Sequence, residues 1–223
     1  MHHSALSFQL VCINLMKLAI LIIPVILYDI TYHQQKGQVT MNIKRTKKLV
    51  FSALMAALTT AATLVIHIPS FHGYIHLGDG MVLLSGILLG PVAGAAAGGI
   101  GSMMADLISG YAFYAPATFI IKALAAFFGG YLYRRFSNNR PNAHFQILPF
   151  LTAGIVCSSI VTGGYFIFEL FVYNRAAAII NVPFNLVQNL FSLMVSGALL
   201  PFLLRSHEIR NLNLETDSIA ESF

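Results

Sequence analysis

From Leu49 onward the chain alternates long apolar stretches with short polar breaks. The stretches are Leu49–His67, Gly80–Leu89, Pro91–Leu107, Ala115–Tyr133, Ile147–Tyr173 and Val182–Leu204. Most approach the roughly 20 apolar residues that a helix needs to cross the hydrocarbon of a bilayer. The second is too short to cross straight and is expected to borrow residues from the loop before it. Leu89-Gly90-Pro91 makes a tight break between spans two and three, because proline cannot continue the preceding helix. The pattern predicts an all-α integral membrane protein built as a six-helix bundle. Its loops on one side are expected at His67–Asp79, Asp106–Ala115 and Phe168–Asn181.

Composition agrees with this reading. Of 223 residues 57% are hydrophobic and 9% charged, against about 25% charged in a soluble domain. Such a chain cannot cover a water-facing surface, and its loops leave no room for a separate soluble domain. The net charge of +5 is small and carries no nucleic-acid signal. The basic residues instead sit beside apolar segments: Lys44, Arg45, Lys47 and Lys48 before span one, Arg134, Arg135 and Arg140 between spans four and five, Arg205 and Arg210 after span six. With six spans all three clusters fall on one side, which the positive-inside rule assigns to the cytoplasm. The C-terminus is then cytoplasmic in a multi-pass protein of the cell membrane. Cys12 and Cys157 both lie in apolar runs and form no disulfide framework.

The first forty residues differ from the rest. Phe8 to Tyr28 is apolar but has Lys17 at its middle, at a cost of roughly 3 kcal/mol on insertion scales. Met41 is followed by a basic run and then a clean span. The chain therefore divides into a 1–40 extension (an over-extended start or an extra helix), a 41–205 membrane domain and a 206–223 tail.

Polar residues at membrane depth are the candidate chemistry. Asp79, Asp106 and Glu169 each sit near the outer end of a span. Helix capping is the alternative role for Asp79. Lys122 lies about two turns into span four, where it can snorkel, bind an anionic ligand group, or pair with Asp106 or Glu169. Asn181, Asn185, Gln188, Asn189, Ser192 and Ser196 share one face of span six, and a polar face in a membrane helix must look at protein or a cavity. Aromatic side chains crowd the same side: Phe71, Tyr74, Tyr111, Phe113, Tyr114, Tyr165, Phe166, Phe168 and Tyr173. They fit an interfacial belt, or an outer pocket stacking on a flat ring. His67, His72, His76 and Asp79 are too irregularly spaced to read as a metal site. No P-loop, GxSxG or HExxH motif occurs, so the chain has neither an ATP-binding loop of its own nor a recognisable hydrolase centre. Small residues at four-residue spacing, Ala53, Ala57 and Ala61 in span one and Gly90, Gly94, Gly98 and Ser102 in span three, make flat stripes for close helix approach.

Several of these segments together resemble a known family. They are the alanine stripe, His76-Leu77-Gly78-Asp79-Gly80, Gly86-Ile87-Leu88-Leu89-Gly90-Pro91, Met104-Ala105-Asp106, Tyr114-Ala115-Pro116-Ala117-Thr118, and Val182-Pro183-Phe184-Asn185 with Gln188-Asn189. The chain is similar over about Met41–Arg205 to the substrate-binding S components of energy-coupling factor (ECF) vitamin transporters, nearest to the riboflavin-type branch. The resemblance implies a six-helix bundle that is not an enzyme and holds no cofactor. It implies capture of a vitamin from outside, docking on a transmembrane T component served by two ATP-binding subunits, and contact of the Ala53, Ala57 and Ala61 stripe with that T component. The candidate binding residues are His76, Asp79, Asp106, Tyr114, Lys122, Glu169, Asn185 and Gln188. A pocket of acids, amides and rings suits riboflavin, pyridoxine or a thiamine precursor better than a strongly anionic ligand. The competing reading is a stand-alone proton-coupled secondary transporter using Asp106, Glu169 and Lys122 as a relay.

Overall fold

Helix length separates the six apolar segments into two kinds. In the computed structural model, which describes residues 40–65, 68–69, 74–137 and 145–206, α1 spans Thr40–Val65, α3 Pro91–Ser109, α4 Ala115–Phe136, α5 Ile147–Val172 and α6 Arg175–Arg205. These five are long and apolar enough to cross a membrane. The remaining helix, α2 (Gly78–Leu89), has 12 residues, about 18 Å of rise against the roughly 30 Å of a hydrocarbon core. It gains only Gly78 and Asp79 over its sequence-read start. Every α2 residue but Met81 is buried, as expected for a helix apolar all round. Between α1 and α2 run two short antiparallel strands, β1 (Ile68–Pro69) and β2 (Tyr74–Ile75), with Ile68 opposite Ile75. Residues 1–39 and 207–223, with His67, Phe71, His72 and Arg140, lie outside the described residues.

Glycines let α2 sit inside the bundle. A Cβ on Gly94 of α3 would fall 2.5 Å from the Gly86 Cα. On the other side of α2, a Cβ on Gly130 of α4 would fall 2.2 Å from the Gly86 carbonyl oxygen, and one on Gly86 would fall 2.2 Å from that of Ala126. Three helices therefore cross at near backbone contact around Gly86. The small-residue stripe of α3 serves this packing. About two turns further on, Gly101 faces the Ala56 carbonyl of α1, and the Thr60 hydroxyl donates to the Gly101 carbonyl at 2.8 Å. The buried face of α1 is Met55, Thr59 and Thr63. Ala53 and Ala57 lie on the opposite side and are exposed, with Ala61 partly so.

The last helix corrects the sequence reading. The loop expected at Phe168–Asn181 shrinks to Tyr173 and Asn174, and α6 starts at Arg175 rather than Val182. Asn174 caps it, its side chain accepting from the Ala177 N–H at 2.9 Å. Pro183 and Pro201 lie inside the helix. Each removes one backbone donor and marks a natural helix breaker, which is why the sequence suggested a later start. Replacing Asn174 with alanine is expected to destabilise the protein by about 1 kcal/mol, the usual value of an N-cap, measured as a fall in the thermal midpoint in detergent.

Candidate functional site

The segment His76-Leu77-Gly78-Asp79-Gly80 is a wedge that meets α1, α4 and α6. The His76 N–H donates to the Gln188 Oε1 on α6 at 3.1 Å, and the Gly78 N–H donates to the His76 Nδ1 at 3.0 Å. A Cβ on Gly78 would fall 2.0 Å from the Thr63 Oγ1 on α1, and one on Gly80 would fall 2.9 Å from the Ser192 carbonyl on α6. Both glycines are needed for close approach. Asp79, between them, points at α4, where Lys122 Nζ pairs with its Oδ1. Its other oxygen accepts from Gln188 Nε2 at 2.7 Å. The Asp79 carboxylate is 3% exposed and the Lys122 side chain 0%, so both charges are out of water and each is compensated by the other. Leu77 holds the N-cap position of α2 without a side-chain cap bond, so Asp79 is a charge partner rather than a cap. Lys122 pairs with Asp79, not with Asp106 or Glu169. The wedge carries Asp79 into the bundle, whereas the other two acids stay at helix C-termini.

A second polar pair stands nearer the helix ends. Asn181 Nδ2 donates to Glu169 Oε1 at 2.6 Å, joining the last turn of α5 to the second turn of α6. Asp106 lies in the last turn of α3, buried. Tyr165 links the two levels. It bonds Thr118 at 2.9 Å, its ring centroid is 5.0 Å from Lys122 Nζ, and it lies within electrostatic reach of Asp106, Asp79 and Glu169. Above it, Tyr114 packs edge-on to Phe168 with centroids 5.2 Å apart, and Tyr111, Phe113 and Tyr173 lie around that pair.

Of the residues singled out from sequence, His76, Asp79, Lys122 and Gln188 form one hydrogen-bonded group. Glu169 and Tyr114 flank Tyr165 at the next level, and Asp106 is also within its reach. Asn185 lies one turn before Gln188 on α6, half-buried, outside the described hydrogen bonds. Sequence reasoning missed Thr118 and the bridging role of Tyr165. Thr118 was findable, since it lies four residues before Lys122 and so on the same helix face. Further down α6, Asn189 donates to Thr162 Oγ1 at 2.9 Å and to the Ser158 carbonyl at 3.2 Å, so this part of the polar stripe is interhelical bonding.

Five crossing helices around a short buried one, with a compensated ion pair and a ring cluster toward one end, define a multi-pass membrane protein with a polar interior. The chain belongs to the family described as the ECF-type riboflavin transporter S component, which its residues 43–205 match. It is also similar to a protein of Pyrococcus woesei described as an uncharacterized protein in a gap 3′ region: 33% identical over 144 residues, 64% of this chain and 91% of that protein. The chain is thus a substrate-binding subunit of an ECF transporter, a transport component and not an enzyme. Its family works with a T component, ATPase subunits and a vitamin ligand.

Proposed function

We propose that this subunit captures a flat heteroaromatic vitamin of the riboflavin, pyridoxine or thiamine-precursor class at the outer face of the cell membrane. It then delivers the vitamin through a T component driven by two ATPases. The observation that carries the reading is the continuity, through Tyr165, between the Tyr114–Phe168 ring cluster and the Asp79–Lys122–Gln188 group. Rings accept the face of a flat ligand. Amides and carboxylates at fixed positions read its polar edge, the usual division of labour in a small-molecule site. His76, Asp79, Asp106, Tyr114, Lys122, Glu169, Asn185 and Gln188 are the proposed binding set. The basic clusters at the opposite end support a cytoplasmic placement of that end and of the C-terminus. The exposed Ala53 and Ala57 face with Ala61 supports docking of the T component on α1.

Titrating the purified protein into riboflavin and following flavin fluorescence tests this directly. Saturable one-to-one quenching is expected, or, for another member of the class, competition by pyridoxine or the thiamine pyrimidine in mass spectrometry of retained ligand. Glu169→Ala and Gln188→Ala are each expected to weaken binding by tenfold or more, about 1.5 kcal/mol or above for a hydrogen bond involving a charged group. Unchanged affinity in both would place the pocket elsewhere. Engagement of Lys122 by Asp79 supports this reading over a proton relay of Asp106, Glu169 and Lys122. Uptake into proteoliposomes under a proton gradient with no partner subunit present would reverse that preference.

A further inference from the structure

The Asn181–Glu169 pair leaves one atom unused. Asn181 Nδ2 donates to Glu169 Oε1 at 2.6 Å. A carboxylate oxygen only accepts, so this bond fixes which end of the amide faces Glu169. The amide oxygen, Oδ1, is turned the other way. It is buried and meets no hydrogen-bond donor among the described residues, and Asn181 as a whole is 6% exposed. Turning the amide over cannot relieve this, because it would set oxygen against oxygen at Glu169. A buried acceptor is costly to leave unpaired, and folded proteins satisfy nearly all of them.

The surroundings of Oδ1 narrow what can pair with it. Asn181, Asn185 and Gln188 lie at i, i+4 and i+7 on the inward face of α6. Toward the helix start the same face holds Ala177 and Ala178, both buried, and neither has a side-chain donor. In the other direction Gln188 belongs to the Asp79–Lys122 group, roughly 10 Å along the helix from Asn181. Glu169, which holds the amide, is flanked in the chain by Phe168 and, one turn on, Tyr173. The rings of both pack about Tyr114. The unpaired acceptor therefore stands at the ring level of the site, with its orientation already set.

We propose that Asn181 is a specificity-determining residue, its Oδ1 accepting a hydrogen bond from a ring N–H on the edge of the captured ligand. This rests on the vitamin-capture reading above. The match is one of rigid partners. Glu169 fixes the acceptor, and a ring N–H is fixed in the plane of its heterocycle, whereas a hydroxyl rotates to suit many acceptors. A ligand without that hydrogen leaves Oδ1 buried and unpaired, so the site discriminates against it.

Riboflavin, whose imide carries a ring N–H, and its imide-N-methyl derivative test this in fluorescence titrations of the purified full chain. The wild type is expected to prefer riboflavin by about tenfold or more. In Asn181→Ala, riboflavin is expected to weaken to about the affinity of the methylated ligand. Binding of the methylated ligand itself should change little, which shows that the variant is folded. Asn181→Ser keeps a small polar side chain beside Glu169 and is expected to lose the preference in the same way. A purely structural role for Asn181, acting through Glu169, would weaken both ligands alike and leave their ratio intact. An unchanged ratio in both variants therefore overturns the proposal and leaves vitamin capture standing. Equal wild-type affinity for the two ligands does the same. If the wild type binds neither flavin, the flavin reading of the pocket fails first, and the proposal with it.

Discussion

Replacing Lys122 with methionine is expected to be among the most damaging single changes in this protein. Methionine fills a similar volume, so the main loss is charge. Asp79, buried in the first turn of α2, would keep Gln188 but lose the Lys122 ammonium. Breaking a buried pair from one side costs about 3–5 kcal/mol, because the remaining charge stays out of water. Asp79→Asn is expected to cost a comparable amount by stranding the Lys122 ammonium. The double variant Asp79→Asn/Lys122→Met removes both charges and keeps an amide beside Gln188, so it is expected to recover much of the loss. Thermal or denaturant unfolding of the four proteins in one detergent measures this as a double-mutant cycle. If the two single losses simply add, the pair is not a coupled unit.

Valine at Gly130 is expected to have the second largest effect. The added Cβ would lie 2.2 Å from the Gly86 carbonyl oxygen, and that obstacle is backbone, which no rotamer change can clear. Overpacking of a close interior costs about 1–3 kcal/mol, and here α4 must also move off α2, carrying Lys122 away from Asp79. The variant should lose stability and ligand affinity together. Gly163→Ala is the control, since nothing lies within 4 Å of a Cβ there. It should be neutral or stabilising, by up to about 1 kcal/mol from helix propensity. An unperturbed Gly130→Val protein would show that the helices do not cross as described.

Much of this was legible in the chain. Hydropathy located five crossing helices, and the shortness of the second was visible from the interval between Gly80 and the Gly90-Pro91 break. The α3 stripe was readable as packing because four-residue spacing has one geometric meaning on a helix. The partner of Lys122 was not. Asp106 and Glu169 and Asp79 all lie at the same end of their spans, and only the path of the chain after β2 decides which one enters the bundle. The start of α6 was hidden for a local reason: Pro183 looks like a helix opening, yet Asn174 supplies the cap and a helix packed among others tolerates the missing donor. Tyr165 read as one aromatic residue of a belt. Its role between Lys122 and Thr118 comes from two neighbouring helices, information that spacing along one chain does not contain.

The brevity of α2 has a consequence for how the protein is made. A segment of 12 residues cannot hold itself across a bilayer as it leaves the insertion machinery, and Asp79 adds roughly 3 kcal/mol against entry when alone. Its neutralising lysine is encoded 43 residues later, on a helix that emerges after α3. During synthesis α2 must wait at the membrane surface or in the shelter of the insertase until α4 arrives. Its final placement is then a post-insertion folding step, and a nascent chain halted before Lys122 would expose this segment to quality control.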